Sequence, residues 1–350
     1  MSADTRQLLA ARAFATTAAY DAAVATWLEA ETPFPDTVVL AFDRARDLSY
    51  GENPHQAAAY YAERGARMHL LSMVQQVHGK VLSFNNLNDL SAARLLALEF
   101  DRPACVIVKH ANPCGVAVAD TIEVAYERAL ASDPVSAYGG VVVLNRPVSA
   151  ALGPVLAEQF VEVLFAPGYD ETAVEGLAQK EALRVLVDQE RRSFATSERD
   201  VKRVLGGLLV QDRDAEPDPL DLMRVVTGEA DDALWDDLLF AWTVVKHVSS
   251  NAIVLARGGQ TLGIGAGQMS RVDAVRIALE KAHEHGHSLD GAVLASDAFF
   301  PFADGPSLAL EAGVRAIIQP GGSKRDDEVV AAVSAAGATM VCTGRRHFRH

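Results

Sequence analysis

From residue 38 onward, short β-rich runs alternate with helical stretches, and that alternation admits few folds. Residues 104–108 form an unbroken apolar strand, 121–132 read as helix, and 140–144 return to apolar strand. Such strand-helix-strand alternation marks an α/β protein, with helices covering the faces of a sheet. The pattern resumes near residue 233 with a helix over 233–247. A hairpin of 252–257 and 260–265 turning on Gly258-Gly259 comes next, then a helix over 271–284 and strands over 291–296 and 314–319. Ahead of all this, residues 5–30 are rich in Ala and Leu and free of Gly and Pro, a helix ended by Glu31-Thr32-Pro33-Phe34-Pro35. The polar, proline-bearing stretch 212–219 separates two comparable halves. The expected division is a helical connector over 1–35, a first lobe over 36–211 and a second over 212–350.

A chain of 350 residues suits two lobes, each able to bury its own core. Hydrophobic residues at 49% and charged residues at 22% fit a compact globule rather than a disordered chain. A formal charge of −14 argues against a broad nucleic-acid footprint, so any anionic ligand must be held by local cations. One local cluster closes the chain: Arg345, Arg346, His347, Arg349 and His350, which alone reads as a solvated basic tail. Cys105, Cys114 and Cys342 are a sparse, odd set, and the start Met-Ser-Ala-Asp-Thr-Arg has no secretory pattern, so a cytoplasmic setting is expected. No apolar run reaches the roughly 18 residues of a membrane span.

Four constellations carry chemistry. Lys109-His110 stands where an apolar strand gives way to the turn Ala111-Asn112-Pro113-Cys114-Gly115, a place where α/β sheets bind ligands. A lysine beside a histidine at such a place offers a cation and a base. His110 and Cys114 invite a zinc-deaminase reading, but that pattern needs His-x-Glu and Pro-Cys-x-x-Cys, whereas Asn112 and Ala117 occupy the decisive places. The loop Gly263-Ile-Gly-Ala-Gly-Gln-Met-Ser-Arg271 has Gln268 where a dinucleotide fingerprint needs glycine. It reads as a tight structural turn or, with Ser270 as N-cap and Arg271 at a helix start, as an anion site. Ser296-Asp-Ala-Phe-Phe-Pro-Phe-Ala-Asp304 offers three phenylalanines as a stacking wall, or folds them into the core. Tyr50-Gly-Glu-Asn-Pro-His-Gln56 alone is a polar loop.

Taken together and in order, these segments resemble the AICAR transformylase domain of the bifunctional transformylase–cyclohydrolase family. The resemblance rests on Tyr-Gly-Glu-Asn-Pro-His-Gln, Asn-Asn-Leu-Asn-Asp, Lys-His, Ser-Ala-Tyr-Gly-Gly, Ala-Pro-Gly-Tyr, Ser-Asn-Ala-Ile, Gly-Ile-Gly-Ala-Gly-Gln-Met-Ser-Arg and Ser-Asp-Ala-Phe-Phe-Pro-Phe, spread over most of 48–350. It implies an α/β fold of two cytidine-deaminase-like lobes without catalytic zinc, and a homodimer with active sites at the subunit interface. It also implies transfer of the formyl group of 10-formyltetrahydrofolate, as co-substrate, to the 5-amino group of AICAR, giving FAICAR and tetrahydrofolate. By position, His110 matches the proton acceptor and Lys109 the group that stabilises developing charge or assists the departing folate nitrogen. Tyr50, Gly139, Glu162, Asn251, Arg271, Phe299 and Arg346 match nucleotide-contacting positions, Arg271 from the partner subunit, and Asn86 lies in another matching segment. Val272, Pro301, Phe302, Asp304 and Ser323 match the folate side, and His350 a terminal histidine. The family suggests a structural potassium ion but no catalytic metal.

Two departures stand out. Family members generally carry arginine before the Tyr-Gly, where this chain has Ser49, which removes a charge-assisted phosphate contact unless Arg46, Arg346 or another cation compensates. In addition, residues 5–28 resemble the connector that follows the cyclohydrolase domain, so cyclohydrolase activity is not expected of this chain. The competing reading is a catalytically silent nucleotide-binding or scaffolding module of the same fold.

Overall fold

In the computed structural model, which describes residues 1–64, 74–189 and 199–350, the alanine-rich start forms helix α1 (Ala3–Leu28). The Ser2 hydroxyl caps it by accepting the Thr5 N–H. With the antiparallel strands β1 (Phe42–Asp47) and β2 (Ala59–Glu63), α1 belongs to the smaller of two compact units, which among the described residues takes in 1–64, 74, 81–87 and 189.

The larger unit opens with β3 (Gln75–His78) and takes in α2 (Phe84–Ala97) from Asn88 onward. β4 (Ala104–Lys109), β5 (Asn112–Val118), α3 (Ile122–Ser132), α4 (Pro134–Ala137) and β6 (Gly140–Leu144) follow. After them come α5 (Leu152–Glu158), β7 (Val161–Ala166), α6 (Glu171–Leu177) and β8 (Arg184–Val187). A separate hairpin, β9 (Arg199–Val204) and β10 (Gly207–Asp212), precedes the second series. That series comprises β11 (Arg224–Thr227), α7 (Asp232–Val245), β12 (Ile253–Arg257), β13 (Gln260–Gly265), α8 (Arg271–Glu284) and β14 (Val293–Ser296). It ends with α9 (Asp304–Glu311), β15 (Ala316–Gln319), α10 (Asp326–Ala335) and β16 (Thr339–Cys342).

Twelve of the described strands form one mixed sheet, ordered β11-β16-β15-β14-β12-β13-β5-β4-β6-β7-β8-β3. Read inward from either edge the topology repeats: an antiparallel edge strand, three parallel strands, then a hairpin. The two hairpins meet at the sheet centre through Gln260 and Ala117. Helices on the faces bury β4 and β6 almost throughout, which is why both read as unbroken apolar runs. Two cores result, one containing Ile107, Tyr126, Leu144 and Leu164, the other Leu255, Val275, Phe300 and Ile317. Gly115 and Gly263 mark corresponding close approaches of helix to strand. A Cβ at Gly115 would lie 2.0 Å from the Ala129 carbonyl oxygen, and one at Gly263 2.1 Å from that of Ala278.

One expected turn proves to be mostly strand. Residues 112–115 belong to β5, and Pro113 pairs with Val108 beside a one-residue register shift, where a missing N–H is tolerated.

The antiparallel pairings at the sheet centre fix where the chemistry sits. The ends of β4 and β13 and the starts of β6 and β12 fall at the same end of the sheet, because Val108 faces Val141 and Ile253 faces Gly265. β7 starts there beside Gly140, and β14, β15 and β16 run in parallel to finish there.

Candidate active site

Lys109 and Asn112 are the last paired residues of the β4–β5 hairpin, so His110 and Ala111 alone make its turn. Both have positive φ, 52° and 60°, as a two-residue turn of this hand requires. Side chains other than glycine adopt that conformation at about 1–2 kcal/mol each. Asp89, from α2, offsets part of that cost: its Oδ1 accepts the Ala111 N–H at 2.8 Å. Burial pushes the Asp89 carboxyl above its usual range, against the opposing pull of that hydrogen bond and of the charges on His110 and Lys109.

Lys109 Nζ donates to the carbonyls of Tyr138 at 3.0 Å and Gly139 at 2.8 Å, which draws the half-buried ammonium toward the start of β6. Gly139 is left-handed at φ +68°, and a Cβ there would stand 3.0 Å from the Phe160 ring and 3.2 Å from Lys109 Nζ. The imidazole of His110 is exposed. A cavity of about 230 Å³ opens beside the pair, lined also by Asn112, Asp133, Ser136 and Lys281. Lys281 Nζ lies 3.2 Å from the Asp133 carboxylate. Cys114 shares the lining, but burial pushes its thiol up to about 12, so it is not a thiolate near neutral pH.

A second cluster lies at the same sheet end. Asn251 Nδ2 donates to the carbonyls of Gln268 (2.8 Å) and Met269 (3.2 Å), and its Oδ1 accepts from Arg271 at 2.6 Å. The Ser250-Asn251 peptide is cis. Arg271, buried in the first turn of α8, donates also to Asp297 and to Ser296 Oγ. Asp297 accepts the Ala252 N–H at 3.1 Å and the Ser250 hydroxyl. Ser270 occupies the N-cap place, although its hydroxyl makes no capping bond among the described residues. Asn112 Oδ1 accepts the Ser249 N–H at 2.8 Å, which joins the two clusters.

The phenylalanine wall is smaller than the sequence suggests. Phe299 and Phe302 are exposed, whereas Phe300 is 1% exposed and belongs to the core. Pro301 is half-buried between them, Val272 half-buried at the start of α8, and Asp304 exposed at the start of α9. Ser323 follows β15, and its Oγ accepts the Arg325 N–H at 3.1 Å, while the Arg325 guanidinium lies 5.0 Å from the Phe302 ring centre. Glu162 is half-buried in β7. Arg346 is exposed, its guanidinium 4.5 Å from the Phe348 ring centre, and His350 is exposed as well. Arg271, Phe299 and Arg346 do not line the cavity beside Lys109.

Tyr50 and Asn86 belong to the smaller unit. The Tyr50 carbonyl accepts the Phe84 N–H, and exposed Ser49 donates its hydroxyl to the Leu82 carbonyl at 3.2 Å. Asn86 and Ser83 cap the start of α2 reciprocally, at 3.0 and 3.1 Å.

The residues that sequence reasoning passed over are Asp89 and Asp297. Asp89 closes the Asn-Asn-Leu-Asn-Asp run, and Asp297 lies in the segment taken for an aromatic wall, so both were within reach as carboxylates inside recognised motifs. Among the described residues no group of three or more His, Cys, Asp or Glu could hold a metal ion, and no helix is long and apolar enough to cross a membrane.

The model of the AICARFT/IMPCHase bienzyme family matches residues 1–281. The chain belongs to that family. It is 52% identical to the bifunctional purine biosynthesis protein PurH of Magnetococcus marinus, over 98% of this chain and 68% of the relative. The corresponding protein of Cereibacter sphaeroides is also 52% identical, over 99% of this chain and 68% of its own length. That of Acidithiobacillus ferrooxidans is 50% identical over 100% and 68%. Within the larger unit, Lys109, His110, Gly139, Glu162, Asn251 and Ser296 lie at one end of the sheet, whereas the Ala166-Pro-Gly-Tyr169 segment follows β7 at the other.

Proposed function

We infer that this chain is an AICAR formyltransferase of purine biosynthesis, transferring formyl from 10-formyltetrahydrofolate to the 5-amino group of AICAR. The observation that carries the reading is the His110-Ala111 turn beside Lys109, held in a left-handed conformation by Asp89 at the end of the sheet that also carries Gly139, Asn251 and Arg271. A strained turn persists only where its surroundings over-determine it, and such turns concentrate at active sites.

The chemistry follows from the two side chains. The 5-amino group of AICAR is conjugated with its ring and a poor nucleophile, so its attack on the formyl carbon needs a base. Exposed His110 takes that proton as the carbon–nitrogen bond forms. Negative charge then develops on the formyl oxygen; the bond from the formyl carbon to the folate nitrogen breaks as that charge collapses, and the proton released by the amine ends on the departing nitrogen, with the Lys109 ammonium stabilising the charge or assisting the departure. Tyr50, Asn86, Gly139, Glu162, Asn251, Arg271, Phe299 and Arg346 are assigned to the nucleotide. Val272, Pro301, Phe302, Asp304 and Ser323 are assigned to the folate, with exposed Phe299 and Phe302 as flat apolar contacts.

The repeated strand order supports two cytidine-deaminase-like lobes without catalytic zinc, divided near residue 212 and preceded by a connector over 1–35. A homodimer with interfacial sites is supported by exposed apolar groups, Phe14 and Trp27 on α1 and Leu208 and Leu209 on the β9–β10 hairpin, which a second copy would cover. Cytoplasmic residence and a structural potassium ion complete the proposal.

The test is to mix the purified chain with AICAR and 10-formyltetrahydrofolate and follow tetrahydrofolate release. Turnover that disappears when AICAR is replaced by its phosphate-free nucleoside is the expected result. AICAR binding without turnover would instead favour a catalytically silent nucleotide-binding module.

A further inference from the structure

We propose that His347 is a positioning residue that pins the carboxyl-terminal segment between Asp214 and Asp218 so that Arg346 is presented to the nucleotide phosphate. The proposal rests on the formyltransferase reading above, which assigns Arg346 to AICAR.

Residues 343–350 have no regular structure, so what fixes them must be side chains and isolated backbone bonds. His347 is 1% exposed. Its Nδ1 lies 2.5 Å from Asp214 Oδ2 and its Nε2 2.7 Å from Asp218 Oδ2, an arrangement that uses both ring nitrogens as donors and therefore an imidazolium. The Trp242 indole meets the ring edge-on at 5.2 Å between centres and donates its own N–H to Asp218 at 2.7 Å. Arg345 lies 3.6 Å from the same carboxylate. Two carboxylates of an acidic linker thus close on one buried ring of the basic tail, more than a hundred residues away.

The backbone of the same residue ties this anchor to the nucleotide cluster. The His347 N–H donates to the carbonyl of Asp297, whose side chain holds Arg271, and the Arg349 carbonyl accepts the Ser250 N–H next to Asn251. With His347 turned inward, its neighbours Arg346 and Phe348 are exposed, the guanidinium over the ring. A long cation held this way loses less freedom when it meets a phosphate than one on a loose tail. His347 itself, being enclosed, has no access to substrate and acts through Arg346.

A double-mutant cycle on the full chain tests this, with AICAR affinity read by calorimetry and kcat measured at saturating nucleotide. His347→Gln should weaken AICAR by about fivefold or more while kcat holds within about twofold, the signature of lost binding rather than lost chemistry. Arg346→Ala should weaken AICAR as well, and the double variant should bind no worse than the weaker single one. Weakening in the double variant equal to the product of the two single effects would overturn the proposal, as would unchanged affinity in His347→Gln alongside a weakened Arg346→Ala. Unchanged affinity in Arg346→Ala would instead remove the assignment of Arg346 on which the proposal stands. If His347→Gln does not fold, Asp214→Asn, which alters the half-exposed carboxylate, decides by the same affinity and kcat criteria.

Discussion

Gly139→Ala would displace Lys109, the proposed charge-stabilising group, without substituting either of the proposed reacting residues. Alanine at φ +68° costs about 1–2 kcal/mol against the left-handed backbone. The new methyl would lie 3.2 Å from Lys109 Nζ and 3.0 Å from a Phe160 ring carbon, both tighter than ordinary contact. The Phe160 ring is 42% exposed and can swing outward, but Nζ is fixed by carbonyl contacts of 2.8 and 3.0 Å, one of them to Gly139 itself. The ammonium must therefore yield by a few tenths of an ångström and loosen one of those bonds. Misplacement of a catalytic group by about 1 Å can cost on the order of 100-fold, so a smaller shift should lower kcat by about tenfold or more. The fold should lose about 1–3 kcal/mol, or about 2–4 °C in Tm per kcal/mol for a unit of this size. The assay is steady-state tetrahydrofolate release with thermal melting in parallel. Gly176→Ala serves as control, because a Cβ there meets nothing within 4 Å and it should leave kcat unchanged. If Gly139→Ala keeps wild-type kcat and Tm, the argument that this glycine seats Lys109 is wrong.

Three further outcomes are expected. Ser49→Arg should restore a phosphate contact, tightening AICAR by about tenfold at low salt and steepening the salt dependence of its Kd; an unchanged Kd and salt slope would show that Ser49 costs the protein nothing. Arg94→Met should destabilise the fold by about 1–3 kcal/mol in urea titration, because it removes two guanidinium hydrogen bonds to the Asp188 carboxylate at a site only 2% exposed; a loss below about 0.5 kcal/mol would contradict this. The third concerns His347, whose pKa burial alone would lower, but hydrogen bonds and charge from Asp214 and Asp218 carry it up to about 9, with Lys246, Arg345 and the Trp242 indole also facing the carboxylates. The unfolded value is about 6.5, so the stabilisation is complete below that pH and is lost as pH rises through about 9, on the order of 3 kcal/mol. Denaturation curves from pH 6 to 10 should show this decline in the wild type and a flatter profile in His347→Gln; parallel profiles would refute it.

Much of the scaffold was legible because its physics is local. β4 and β6 are covered on both faces and read as continuous apolar runs, and Gly258-Gly259 declares a two-residue hairpin because glycine takes positive φ without strain. The His110-Ala111 hairpin hid for the same reason, since neither residue announces a left-handed turn and Pro113 argues against a strand. What makes that turn stable is Asp89, a contact 22 residues away that no local pattern reveals. The motifs single out Lys109, His110, Asn251 and Arg271 in the sequence, but the engagement of Arg271 with Asp297 depends on strand order. Likewise the acidic stretch 212–219 read as a linker and the basic end as a solvated tail, and only the fold brings them together at His347. Phe300 shows the converse: three neighbouring phenylalanines look alike in sequence, and the turn they occupy sends one of them into the core.

The account depends most on Lys109 and His110 acting in formyl transfer itself rather than in holding the nucleotide. Single-turnover tetrahydrofolate formation in Lys109→Met and His110→Asn, with AICAR affinity measured on the same samples, tests this directly. Each variant should lose about 100-fold or more in rate while AICAR binds within a few-fold of wild type. Rates close to wild type in either variant, or a loss confined to AICAR affinity, would contradict the assignment.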